Sequence, residues 1–408
     1  MALTDYLSDI GDAIRTKTGG TALIPFLEMP EEILSIPTGG GGVVEKDVNF
    51  YTPYGDLVAS WTMAEARAAT ALPAAPTLDR LTFQEWNWTL VEIQDFHSEI
   101  DVCGTYTTTS GNTELDMVFN GATGLNVTLR INNRTAGEIV DVDWGDGTNN
   151  SASSSTTGEK VFTHTYPGYG EYMISVSSNG NYSFFGQTSG TYNTFNVTPN
   201  YTCVACRGGI GLVNLDSHCF RGVRSLRSFT LPTSCIINFA NVFFDCVGLT
   251  FIGFARQQYF NAATSQVCSG CFLLQRASLP RNTGTLASGF FTNCYSLQAK
   301  DVGLTAMPST GYQFNYSLEK YVIRSASNIP SSAFANCYNL LEFFILRGTL
   351  TTLANVNVFT SLNPLCKIKV PQGMLAEYQA ATNWSTFANQ IVEMTNEEME
   401  RYGLAVTP

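Results

Sequence analysis

The sequence predicts a mainly β, multidomain protein whose second half is a solenoid of stacked repeats. Three observations carry this. The pattern Phe-x-x-Cys-x-x-Leu recurs at near-even spacing from residue 220 onward, apolar and polar residues alternate through 98–198, and charged residues make up 14% of 408. About 25% charge is usual for a soluble domain. Sparse charge with abundant Ser, Thr, Asn and Gly suits a β-rich surface protein better than a helical cytosolic enzyme. The length exceeds what one ordinary core accommodates.

The repeat is read most easily from two copies, "ASGFFTNCYSLQAKDV" and "SSAFANCYNLLEFFIL". Aligned on the motif, seven copies appear: Phe220/Val223/Leu226, Phe243/Cys246/Leu249, Cys268/Cys271/Leu274, Phe291/Cys294/Leu297, Tyr312/Asn315/Leu318, Phe334/Cys337/Leu340 and Phe359/Leu362/Leu365. Successive leucines are 23, 25, 23, 21, 22 and 25 residues apart. After most leucines, apolar residues follow at +3 and +5, as in Phe229/Leu231 and Ile368/Val370, which predicts one short strand with one face inward. A period of 20–29 residues with one strand is the leucine-rich-repeat pattern, and such units bury their edges only by stacking. Two copies depart: Asn315 stands at the cysteine position, and Lys300 stands where an apolar residue belongs.

The cysteine position is also filled by Val, Asn and Leu, which a catalytic or metal-binding position would not tolerate. The thiols are therefore expected to pack as small hydrophobes. Cys203-x-x-Cys206 and Cys268-x-x-Cys271 are some sixty residues apart, and the second pair already belongs to the repeat, so no zinc site is expected. Without an n-region and h-region at the start, the eleven cysteines are expected to be free thiols.

At the N-terminus, Leu3, Tyr6, Leu7, Ile10, Ala13 and Ile14 fall at helical spacing, and Gly19-Gly20 suits a helix stop. A second short helix is expected at "EMPEEILSI". Residues 1–37 thus read as a small helical attachment segment, tethered by a glycine linker at 38–42. A β-rich module is expected at 43–97, with a hairpin around Tyr54-Gly55-Asp56, a short helix at "TMAEARA", and Trp86 and Trp88 flanking Asn87.

Residues 98–198 read as an antiparallel sandwich, with strands at "LDMVFNG", "LNVTLRI", "EIVDVDW" and "YMISVSS". The tract "TNNSASSSTTGEK" reads as a long polar loop. "DVDWGDGT" fails as an EF-hand, because position 5 is Gly145 and position 12 is Ala152. Trp144, Gly145, Asp146 and Gly147, with His164, Tyr166, Gly170 and Tyr172, resemble the PKD-type, immunoglobulin-like sandwich. That resemblance implies a structural or binding module, with His164 as a packed residue. The solenoid is assigned to 199–370, and 371–408 is expected to be a helical cap and tail, with an apolar stripe at Leu375, Tyr378, Ala381 and Trp384.

Several function classes are disfavoured. A net charge of −12 without a dense Lys/Arg cluster argues against nucleic-acid binding, and no apolar run reaches the length of a membrane span. The three histidines, His97, His164 and His218, give no nucleophile–base pattern, and no carboxylate pair stands out for glycoside hydrolysis. No enzyme activity, cofactor or metal is expected.

The repeat, with its ending "VPQGMLAEYQAATNWSTFANQIV", resembles the BspA-type leucine-rich repeat and its closing cap. The opening "LSDIGDAIRTKTGGTALIPFLEMPEEILSI" resembles an N-terminal segment of tail and baseplate-associated proteins of phages of Gram-positive hosts, and the block from "VNFYTPYGDL" is similar to the module that often follows it. The order of blocks implies a virion structural protein made in the bacterial cytoplasm and released by lysis. Its N-terminus (Leu3, Tyr6, Leu7, Ile10, Ile14) would contact other virion proteins. The solenoid would face a host polysaccharide or protein, and the chain is expected to be a homo-oligomer, as a trimer. The alternatives are a bacterial or prophage-encoded adhesin of the same architecture, or a purely structural virion decoration.

Positions +2 and +4 after each repeat leucine are expected to point away from the core. Phe251 and Phe344, with Arg276, Lys320, Glu342, Lys367 and Lys369, form the expected receptor strip, on the reading that both rings are exposed among polar neighbours. The loop Asn149–Lys160 and the stretch Gly180–Tyr201 are the competing sites.

Overall fold

The computed structural model describes residues 46–119, 125–153, 155–186, 194–195, 201–260, 263–281 and 285–406. The attachment segment and its residues Leu3, Tyr6, Leu7, Ile10 and Ile14 lie outside them. From Asp47 onward the chain forms one unit.

The unit begins with strands β1 (Val48–Tyr51) and β2 (Leu57–Trp61), paired antiparallel across the expected turn. Helix α1 (Met63–Ala68) follows, then β3 (Leu81–Trp86), α2 (Leu90–Phe96) and β4 (Ile100–Thr108). Both helices start on a threonine capping box, Thr62 with Glu65 and Thr89 with Glu92, each satisfying two N-terminal amide groups. The sheet order is β2-β1-β4-β3, with β4 parallel to β1. Because β4 is a central strand of this sheet, the module extends to Thr108 and does not end at residue 97.

The sandwich comprises β5 (Thr113–Phe119), β6 (Leu125–Asn133), β7 (Ile139–Asp143), β8 (Asn149–Ser153), β9 (Gly158–Tyr166), β10 (Gly170–Ser178) and β11 (Tyr182–Phe184). The expected polar loop is thus largely a hairpin arm: Asn149–Ser153 pairs with β7 in full antiparallel register. Its polar composition reflects an edge strand exposed to solvent, which carries no period-2 apolar signal. The WGDG turn is tied by Tyr166, whose hydroxyl donates to the Trp144 carbonyl at 2.6 Å, and by the Trp144 ring stacked 5.0 Å from His164. Gly145 has φ +78°, and a Cβ there would lie 2.5 Å from the Met173 carbonyl oxygen, so glycine is required.

The sandwich continues into the solenoid without a break. Strand β12 (Tyr201–Arg207) pairs antiparallel with β5 on one side and parallel with β14 (Ser228–Thr230) on the other. Likewise β13 (Leu212–Leu215) joins β11 to β15 (Ile236–Ile237). A boundary at 199 would therefore cut through two sheets.

Later repeats contribute β16 (Phe251–Gly253), β17 (Arg276–Ser278), β18 (Lys320–Ile323), β19 (Asn328–Ile329), β20 (Glu342–Ile345), β21 (Thr352–Leu353) and β22 (Lys367–Val370). Each of the first six repeats turns on two left-handed residues that flank its first motif position, such as Asn241 and Asp245 around Phe243, Gly289 and Asn293 around Phe291, and Ser332 and Asn336 around Phe334. Between them, amides donate to the next repeat, as from Asn241 to Ser265, Phe243 to Val267 and Asp245 to Ser269, at 2.8–3.0 Å. Small polar residues at these points tolerate positive φ better than branched ones do.

All eleven cysteines are free and buried. They are more than filler. The thiols of Cys246, Cys271, Cys294 and Cys337 each donate to a carbonyl of the preceding repeat at 3.1 Å, on Phe220, Phe243, Cys268 and Tyr312 respectively. In the seventh copy the register breaks: Leu365 is 74% exposed, and Cys366 takes the buried place. The cap contains helix α3 (Leu375–Ala380) and a 3-10 turn at Trp384–Phe387, but Ile391–Glu393 is a strand, β23, which adds parallel to β22. Helix α4 (Asn396–Arg401) follows.

Candidate functional site

The strand face of the solenoid, where the receptor strip is expected, is covered by the chain itself. Phe251 is 3% and Phe344 2% exposed, so the expectation that both rings face solvent is corrected. Phe251 packs with Tyr51 and Cys103 of the module, its ring 5.5 Å from that of Tyr51. Phe344 packs with Met394, Met399 and Tyr402, the last at 5.2 Å. Alternation along a strand distinguishes two faces; it does not say whether the outer one meets solvent or another layer of the protein.

The charged members of the strip serve this cover. Lys320 Nζ lies 2.6 Å and Lys300 Nζ 3.0 Å from the Glu99 carboxylate, which also meets Arg401 at 3.1 Å. Burial alone would raise the Glu99 pKa, but Lys300, Lys320 and Arg401 hold it down at about 2. Arg276 lies 3.7 Å from Asp101 and over the Tyr51 ring at 5.5 Å. Lys369 bridges Glu342 at 2.6 Å and Glu398 of α4. Lys367 remains exposed. Lys300, out of pattern in the repeat, is explained by its partner Glu99.

A second anchor comes from the Trp-Asn-Trp segment. The Asn87 amide donates to the Phe254 carbonyl at 3.0 Å and to Ser278, and Trp88 Nε1 donates to the Leu279 carbonyl at 2.8 Å. In return the Ser278 hydroxyl donates to the Asp101 carbonyl at 2.6 Å. Asn87 between two tryptophans stands out in the sequence, but the partners of Asn87 and Trp88 lie 167 to 191 residues away.

Other surfaces stay open. Phe272, Tyr295, Tyr316 and Tyr338, each just after the cysteine position, stack along the solenoid with centroids 4.6, 4.7 and 5.3 Å apart. A groove of about 540 Å³ is lined by the apolar Phe260, Leu286 and Met307 together with Ser265, Ser288 and Ser309. A polar cleft of about 580 Å³ on the sandwich is lined by Asn126, Thr163 and His164 of the paired strands β6 and β9 and by Asn149 and Asn150 of β8. This cleft touches the competing loop that starts at Asn149. His164 Nε2 lies 2.7 Å from Asp146 Oδ2.

His218 Nδ1 meets Ser217 Oγ at 2.6 Å, but that hydroxyl also bonds the Ala240 carbonyl, and both belong to the first solenoid turn. Among the described residues no group of three or more His, Cys, Asp or Glu is placed to hold a metal ion.

Residues 188–312 and 266–390 match the BspA type leucine rich repeat region, in six copies. The second half of the chain therefore carries BspA-type leucine-rich repeats. A similar solved structure is the leucine-rich repeat protein TpLRR of T. pallidum, 21% identical, covering 38% of this chain and 67% of that one, with a TM-score of 0.24. No curated protein matches the chain.

Proposed function

We propose that the chain is a phage virion structural protein of tail, baseplate or fibre type that attaches through residues 1–37 and uses the unit from Asp47 onward for host-surface recognition. The observation that carries the recognition half is the BspA-type solenoid, fused through two continuous sheets to a sandwich, which makes a stiff body suited to display. The virion half rests on the likeness of the opening block to tail and baseplate segments. Copies on one particle would multiply weak contacts, in keeping with a homo-oligomer such as a trimer. Since the strand face is occupied, the recognition surface belongs to the groove, the tyrosine stack or the sandwich cleft.

The test has two parts. Deleting residues 1–37 is expected to abolish incorporation into particles while leaving the remaining unit folded; retained incorporation would remove the docking role. The full chain is expected to bind intact Gram-positive cells saturably. Incorporation without any cell binding would favour a purely structural decoration, and cell binding without incorporation would favour an adhesin.

A further inference from the structure

We propose that the groove between the loop at Tyr259 and the serine row is a binding site for a neutral glycan chain lying along the solenoid axis; this rests on the recognition reading above. The groove crosses three repeats, and its volume of about 540 Å³ falls in the range of small-ligand sites.

The chemistry of its walls selects the ligand. Phe260, Leu286 and Met307 are buried, while Tyr259 is 62% exposed and offers an open ring at the lip. Among the described residues no Asp, Glu, Lys, Arg or His lines the groove. An apolar wall with an exposed aromatic, and no charge, suits the C–H face of a sugar ring. With a net charge of −12, the chain as a whole repels polyanions.

The hydroxyl wall argues for a polyol over a peptide. Ser288 Oγ donates to the Ser309 carbonyl at 3.2 Å, and Ser309 Oγ donates to the Ser331 carbonyl at 3.4 Å. The hydroxyl hydrogens of Ser288 and Ser309 are thereby committed within the solenoid, which leaves their lone pairs to accept. A sugar brings several O–H donors per residue; a peptide brings one N–H. The row also repeats once per solenoid turn and runs on to Ser331, so it offers a polymer one acceptor per step of about 4.8 Å.

The lip is fixed in advance. Gln258, 2% exposed, accepts from the Ile237 amide at 2.7 Å, donates to the Ile237 carbonyl at 2.8 Å, and reaches the Tyr259 carbonyl at 3.3 Å. Little ordering is then left to oppose binding.

The experiment titrates the full chain with neutral hexasaccharides of glucose, N-acetylglucosamine and rhamnose, and with a glycerol-phosphate polymer. At least one neutral hexasaccharide is expected to bind, Tyr259→Ala to weaken it about tenfold, and Tyr259→Phe to leave it within about twofold. Binding unchanged in Tyr259→Ala, binding of the anionic polymer alone, or no neutral ligand bound, would each overturn the proposal. The same variants are assayed on intact cells. Cells bound equally by wild type and Tyr259→Ala would reject the groove but keep the recognition reading, whereas no binding by wild type would reject both.

Discussion

Glu99 of the small N-terminal module and Lys320 of the fifth repeat meet at 2.6 Å, across the face that a solenoid of this kind would otherwise leave open. Lys300 and Arg401 complete the site, so one buried carboxylate gathers cations from two repeats and from the end of helix α4. The contact joins residues more than two hundred positions apart. It makes the module and the α4 segment parts of one body with the solenoid.

The pH dependence of that body follows from Glu99. Its pKa falls from 4.5 to about 2 on folding, so its stabilising contribution is fully present above about pH 4.5 and is lost as the pH falls through about 2. The shift corresponds to about 3 kcal/mol. Denaturant titrations at pH 7 and pH 3 are expected to show a loss of stability in the wild type that is smaller in Glu99→Gln, with the variant already weaker at pH 7. Equal pH slopes in the two proteins would exclude Glu99 as the source.

Asp101 works in the opposite sense. Its carboxyl is fully enclosed, and burial raises its pKa against the pull of Lys300, Arg276 and a hydrogen bond from Asn49. A raised carboxylate pKa means that the folded state favours the neutral form, so stability is gained as pH falls toward the folded value. Asp101→Asn imitates that neutral form and is expected to raise Tm at pH 7 by about 1–2 °C. A lowered Tm would show that the Arg276 pair outweighs the burial cost.

How far the sequence could be read is visible in these same residues. The repeat frame, the inward leucines of the first six copies and the WGDG turn all follow from local pattern, and the structure agrees with each; the seventh leucine, Leu365, is exposed. Which layer covers Phe251 and Phe344 does not, because alternation only sorts residues between two faces, and the covering residues come from Tyr51, Cys103 and Tyr402. Lys300 broke the pattern in the sequence for a reason that only a distant partner, Glu99, supplies. Strand β8 was hidden because an exposed edge strand needs no apolar side chains.

The covered face has a direct mutational consequence. Phe344 is enclosed by Tyr402, with Lys320 and Lys369 5.1 and 4.8 Å from its ring centroid. Phe344→Ala is expected to cost about 3–5 kcal/mol in chemical denaturation. Leu365→Ala, in a side chain 74% exposed, is expected to change stability by less than about 0.5 kcal/mol. A near-neutral Phe344→Ala would mean that the face is open in solution.

The fifth repeat contains the clearest opportunity for stabilisation. Asn315 stands where four other copies have a cysteine whose thiol donates to the preceding repeat, and it is fully buried. No hydrogen bond meets either polar atom of its side-chain amide. An enclosed amide without partners costs about 1–3 kcal/mol, and a thiol at this position would be set to donate to the Phe291 carbonyl, in register with its neighbours. Asn315→Cys is therefore expected to raise the denaturation midpoint at an unchanged m-value, whereas Asn315→Leu should gain less or lose, since its extra branching meets a close-packed core. A destabilised Asn315→Cys would show that the amide has a partner in solution and that the fifth repeat is not interchangeable with the others.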